Sequence, residues 1–109
     1  MRPDPAVLDE FVRRVVEAVR PLRIVLFGSA ARGEMSPDSD LDVLVVMPDG
    51  TNRRRAAMDL YQRASGLGIS KDFVVATEGD LSRFGENPYL VYHDALREGL
   101  ELYRAAATP

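Results

Sequence analysis

The chain contains no cysteine, which excludes disulfides and thiolate metal sites and fits a reducing compartment. No stretch approaches the roughly 20 consecutive apolar residues of a membrane span. The N-terminus carries Arg2, Asp4, Asp9 and Glu10 and lacks the apolar core of a secretory signal. A cytoplasmic protein without membrane contact is therefore expected. Positive charge is not in excess: 14 Lys and Arg stand against 17 Asp and Glu, a formal net charge of −3, so bulk electrostatics disfavour direct nucleic-acid binding. The basic run Arg53-Arg54-Arg55 reads as the solvated start of a helix. His93 is the only histidine; beside Tyr89 and Leu96 on one helix it reads as a half-buried packing residue. No GxxxxGK[ST] element occurs, so a P-loop ATPase or kinase is excluded. Internal repeats and linkers are absent as well.

What remains is an ordinary globular composition, 46% hydrophobic and 28% charged over 109 residues, which fits one domain spanning 1–109 with one modest core. Asp4-Pro5 supplies an N-cap and a proline at the first helical position. Leu8, Phe11, Val12, Val15, Val16 and Val19 then recur at helical spacing until Pro21. Arg23 to Phe27 is apolar in all but its first residue, as a central strand would be. A turn over 28–39, with a short helical segment near Ser29 to Arg32, leads to a second strand, Leu41 to Met47. Pro48-Asp49-Gly50 closes that strand.

Thr51 or Asn52 can cap a helix running to about Ser65, with Ala57, Leu60, Tyr61 and Ala64 as its buried stripe. Ser70 to Thr77 is a third strand, followed by a polar loop. Asn87-Pro88 opens a last helix through Arg97, Gly99 ends it, and Leu100, Leu102 and Tyr103 form a closing strand or tail. Helices between strands imply an α/β (α+β) fold, a small mixed β-sheet flanked by helices.

The chemistry concentrates in residues 28–42, Gly-Ser-Ala-Ala-Arg-Gly-Glu-Met-Ser-Pro-Asp-Ser-Asp-Leu-Asp. A Gly-Ser turn at the end of a buried strand, here Gly28-Ser29, offers unobstructed backbone N–H groups to an anion. Asp40 and Asp42 are two apart, so on a strand they project from one face. Asp72 sits beside the apolar centre of the third strand, where aspartate is disfavoured unless something holds it. If the second and third strands are neighbours, three carboxylates converge on one cleft, a site for hard dications such as Mg²⁺. Strand residues two apart are separated by roughly 6.5–7 Å, so their carboxylates can lean over two metals about 3.5–4 Å apart. Taken singly, each piece has a plainer use. Gly-Ser is a common turn, Ser39 could cap a turn, and Asp72 could pair with a lysine or arginine. Arg32 could reach a phosphate or cap the turn. Tyr61, Tyr89, Tyr92 and Tyr103 could accept a nucleotidyl group or simply pack.

Gly28-Ser29-Ala30-Ala31-Arg32-Gly33, Ser39-Asp40-Leu41-Asp42 and the later strand Asp72 together resemble the motifs of the minimal nucleotidyltransferases, within the polymerase-β-like nucleotidyltransferase superfamily. The ending Arg97-Glu98-Gly99-Leu100-Glu101-Leu102-Tyr103 is similar too, so the resemblance covers nearly the whole chain. It implies the nucleotidyltransferase fold and Mg²⁺-dependent transfer from ATP as substrate. Gly28 and Ser29 would hold the triphosphate, with Arg32 and Ser39 beside them. Asp40 and Asp42 would bind both of two Mg²⁺ ions and Asp72 the one that activates the acceptor. Larger relatives add a helical domain for the nucleobase or acceptor, for which this chain has no room. By the resemblance, the acceptor is a tyrosine of a small helical HEPN-type toxin that receives AMP from its antitoxin; self-association into a homo-oligomer is the other way to complete the cleft. Two further readings stand beside this one: a non-catalytic nucleotide-binding module that neutralises or scaffolds a partner by contact, and transfer to a small-molecule hydroxyl.

Overall fold

Both start signals of the first helix work as the sequence implies. In the computed structural model, which describes residues 3–36, 38–84, 87 and 91–106, Asp4 accepts a hydrogen bond from the Ala6 N–H at 2.9 Å and Pro5 begins the helix α1 (Pro5–Val19). The helix stops at Arg20, whose φ of 49° lies in the left-handed region, one residue before the buried Pro21. Phe11 and Val15 are fully buried, and Leu8, Val12, Val16 and Val19 pack partly buried against the same core. On the outer face Arg13 pairs with Glu10 and Glu17, and Glu17 also reaches Arg63 at 3.5 Å.

The remaining elements follow in the order β1 (Arg23–Phe27), α2 (Gly28–Ala31), β2 (Leu41–Met47), α3 (Arg53–Arg63), β3 (Lys71–Thr77), α4 (Glu78–Phe84), α5 (Val91–Glu98) and β4 (Leu100–Arg104). The four strands form one sheet in the order β3-β2-β1-β4. β1 runs antiparallel to β2 and β4, whereas β2 and β3 are parallel and joined through α3. The fold is thus the mixed α/β sheet with flanking helices that the helix and strand alternation implies.

Strand alternation divides the core into two faces. Ile24, Leu26, Leu41, Val43, Val45, Met47 and Phe73 meet α1 and α3 on one side. Val25, Phe27, Leu44, Val46 and Ala76 meet Ala95 of α5 on the other, with Leu81 of α4 partly buried beside them. Phe11 stacks on Phe73 with ring centroids 5.7 Å apart, which joins α1 to the outer strand. Each fully buried side chain of this size contributes roughly 1.5–3 kcal/mol. No described helix is long and apolar enough to cross a membrane.

Two local expectations are corrected. Neither Tyr61 nor Ala57 belongs to the buried stripe of α3: Ala56, Leu60 and Ala64 are buried, whereas Ala57 is half-buried and Tyr61 is 45% exposed. The segment after β3 is not a loop but the helix α4, started by a capping box in which the Asp80 N–H donates to Thr77 Oγ1 (3.2 Å) and the Thr77 N–H to Asp80 Oδ2 (3.0 Å). The signature Thr-x-x-Asp was present in the sequence at Thr77 to Asp80. Asp49, from the turn after β2, adds a bond from the Gly79 N–H at 2.8 Å. The last helix is described only from Val91; Pro88 and Tyr89 lie outside the described residues. His93 is half-buried, its Nδ1 3.4 Å from Asp94 Oδ1.

Gly99 does more than stop α5. Its N–H donates to the Ala95 carbonyl at 3.0 Å, and a Cβ there would stand 2.2 Å from that oxygen and 2.4 Å from Val25 Cγ1. Only a residue without a side chain lets the α5–β4 corner close on β1. Gly99→Ala is expected to lower stability by about 1–3 kcal/mol through overpacking, read as a fall of at least about 4 °C in the thermal midpoint followed by circular dichroism.

Candidate active site

The register of three strands assembles the site. Phe27, the last residue of β1, lies opposite Asp42, and Asp42 lies opposite Asp72. Because alternate residues share a face, Asp42 and Asp72 stand on the same face as Leu44 and Val74, the side covered by α5. Asp42 is half-buried on a central strand, whereas Asp72 is exposed on the outer strand. Asp40 is exposed in the approach to β2. The expectation that β2 and β3 are neighbours is met, and Asp42 and Asp72 are register partners.

Gly28 follows Phe27 directly and has a φ of +71°, a conformation that suits glycine. A Cβ at this position would lie 2.3 Å from Asp42 Oδ2. The backbone of the Gly28-Ser29 turn therefore passes against the Asp42 carboxylate, with α2 beginning at the contact. Ser29 is half-buried there, and its carbonyl accepts from the Glu34 N–H at 2.9 Å. Arg32 caps α2; its guanidinium pairs with Glu34 at 3.1 Å and lies 3.9 Å from Glu98. The Ser39 hydroxyl accepts from the Ser36 N–H at 3.0 Å and closes a local turn, the plainer of the two uses open to it.

Burial pushes the Asp42 carboxyl above its ordinary value of 3.8, and the charges of Asp72 and then Asp40 push it further, while Arg32 works in the opposite direction. Asp72 and Asp40 thus act on Asp42 as like charges do. Among the described residues, no group of three His, Cys, Asp or Glu side chains is close enough to hold a metal ion. Asp42 and Asp72 offer hard oxygen donors of the kind Mg²⁺ takes, in the usual partial set of one or two carboxylates that substrate phosphates complete.

One residue was misplaced by sequence reasoning. The Tyr61 hydroxyl lies 3.3 Å from Asp72 Oδ1 and accepts from the Phe73 N–H at 3.0 Å. Helical spacing put Tyr61 in the buried stripe, and its polar tip was the available sign that the ring would reach past the sheet edge rather than sink into the core.

Two outcomes test this geometry. A carboxyl whose folded value is raised favours the fold in its protonated form, so its contribution is fully present below 3.8 and is lost as pH rises through the raised value. Asp42→Asn should therefore raise the thermal midpoint at pH 7–8 without divalent cations, and the gain should shrink toward pH 4 and below in a pH series of melts. Gly28→Ala should cost about 1–2 kcal/mol from the left-handed backbone alone, plus the collision with Asp42. Asp42→Ala in the same chain should recover the collision part only, visible as non-additivity in denaturant unfolding.

Residues 8–101 match the family model of the nucleotidyltransferase domain. No curated protein matches the chain. Among solved structures, the chain is similar to a candidate nucleotidyltransferase from Sulfolobus solfataricus, with a TM-score of 0.61 and 22% identity over 91% of this chain and 78% of that one. It is also similar to a chain of a toxin–antitoxin structure with AMP-PNP, with a TM-score of 0.63 and 19% identity over 90% of this chain and 73% of that one. Likeness at these identities speaks for the fold, in which the carboxylates and the Gly28 turn meet as described above. The family match runs through both aspartate-bearing strands and the turn between β1 and β2, and on that ground the chain belongs to the nucleotidyltransferase domain family.

Proposed function

We propose that this nucleotidyltransferase domain transfers AMP from ATP to a tyrosine hydroxyl of a partner protein, as the antitoxin of a pair whose toxin is a helical HEPN-type protein in the cytoplasm. The observation that carries the reaction class is the contact of the Gly28 backbone with Asp42, itself in register with Asp72. A phosphate cradle and two carboxylates set side by side are what nucleotidyl transfer needs. Support for the partner comes from the structural neighbour, a toxin–antitoxin structure with AMP-PNP, and from the resemblance of the sequence motifs.

In this reading the turn at Gly28 and Ser29 receives the triphosphate on backbone N–H groups, which a side chain at position 28 would obstruct. Arg32 stands at the end of α2, near enough to act on the Asp42 charge, and adds positive charge beside the phosphates. Ser39 holds the turn that leads Asp40 toward Asp42. Asp40 and Asp42 would hold both of two Mg²⁺ ions and Asp72 one of them; when bound, the ions neutralise phosphate charge and lower the pKa of the acceptor hydroxyl. The acceptor hydroxyl releases its proton to water, its oxygen attacks the α-phosphorus, the bond to the β-phosphate oxygen breaks, and pyrophosphate leaves in line. No histidine is required as base, which suits a chain whose one histidine, His93, lies on α5 and pairs with Asp94.

Incubation of the purified domain with its co-purifying partner, ATP and Mg²⁺ should add one or more AMP groups to a partner tyrosine, detected by mass spectrometry. Asp40→Asn or Asp42→Asn should reduce that transfer by about 100-fold or more, the scale of removing one preorganised electrostatic group. A partner that is silenced without modification, equally by parent and aspartate variants, would instead establish a module that acts by contact.

A further inference from the structure

Asp72 occupies a position that ordinary sheet packing does not secure. β3 is an outer strand, so Asp72 has a strand neighbour on one side only, at Asp42, and its side chain is exposed. Outer strands also leave alternate backbone N–H groups unpaired. Tyr61 answers both deficits with one atom. Its hydroxyl accepts from the Phe73 N–H at 3.0 Å and lies 3.3 Å from Asp72 Oδ1, to which it donates. The ring is itself fixed, edge-on to Phe73 with centroids 5.0 Å apart, and Phe73 is stacked on Phe11 in the core. The chain of contacts thus runs from a buried aromatic pair to the exposed Asp72 carboxylate.

We propose that Tyr61 is a positioning residue for Asp72: its hydroxyl, braced by the Phe73 N–H, fixes one oxygen of the carboxylate that stands in register with Asp42, so that the other is left to share a divalent cation with Asp42. The proposal rests on the nucleotidyl-transfer reading of the site. Asp42 needs no such brace, because it is flanked by strands on both sides and touches the Gly28 turn. An outer-sphere hydrogen bond of this kind orients the ligand and raises metal affinity by about 10–100-fold; at 3.3 Å and on an exposed edge, the lower end of that range is expected.

The test is Mn²⁺ binding in the presence of a non-hydrolysable ATP analogue, followed by electron paramagnetic resonance on parent, Tyr61→Phe, Asp72→Asn and the double variant. Tyr61→Phe keeps the ring against Phe73 and removes only the hydroxyl, so a circular dichroism spectrum like the parent's is expected with about 10-fold weaker Mn²⁺ binding. In the Asp72→Asn background the same change should have no further effect on Mn²⁺, which a general loosening of α3 would not reproduce. Equal Mn²⁺ affinity in parent and Tyr61→Phe overturns the positioning role while leaving the site intact. Loss of binding that adds independently to Asp72→Asn also overturns it. So does intact-mass evidence that Tyr61 itself acquires a nucleotidyl group with ATP and Mg²⁺, since it would then be an acceptor. Failure of the parent to bind Mn²⁺ with the analogue removes both this role and the reading on which it rests.

Discussion

The register at one end of the sheet governs this molecule. Antiparallel pairing sets the end of β1 beside the start of β2, and parallel pairing sets the start of β2 beside the start of β3. Phe27, Asp42 and Asp72 consequently form a row, and the turn that must follow Phe27 emerges against the Asp42 carboxylate. A slip of one residue in β2 would turn Asp42 to the opposite face and bury it beneath α1 and α3. What prevents the slip is apolar alternation on both faces, with Leu41, Val43, Val45 and Met47 toward one cluster and Leu44 and Val46 toward the other. The packing of the core and the placing of the carboxylates are one constraint.

That constraint gathers charge that the fold alone would not choose. Asp42 is half-buried, and both burial and the charges of Asp72 and Asp40 raise its proton affinity. Stability is lost at neutral pH where such a group ionises, so the fold carries Asp42 at a cost. Arg32 partly offsets the repulsion from the end of α2, a four-residue helix that also carries the buried Ala30 and Ala31. One short element therefore anchors the Gly-Ser turn in the core and brings positive charge to the carboxylates.

Around this end of the sheet, tertiary hydrogen bonds do what secondary structure does not. The Tyr61 hydroxyl ties α3 to the outer strand at Asp72 and Phe73. At the opposite end, Asp49 and the Thr77–Asp80 box fix α4, and Arg53 reaches Asp80 at 2.6 Å across from α3. That pairing gives the basic run at the start of α3 a partner where the helix dipole would otherwise oppose it.

Local sequence signals set the individual elements. Asp4-Pro5 began α1, and the spans Arg23–Phe27 and Leu41–Met47 were legible residue by residue because short, mostly apolar runs bounded by turn residues have few other uses. Gly28, Asp40, Asp42 and Asp72 stood out in the sequence through their resemblance to the nucleotidyltransferase motifs, and the fold sets Asp42 in register with Asp72 and against Gly28. Helix α4 was missed although its capping residues are in the sequence, because a seven-residue helix with no buried residue leaves no hydrophobic period to read. Other properties depended on the fold. Which strand lies beside Asp72, how closely Gly28 approaches Asp42, and that the Tyr61 ring reaches round the sheet edge are relations between residues distant in sequence. Their distances are fixed by strand order and by side chains meeting across the sheet, and no local propensity carries that information.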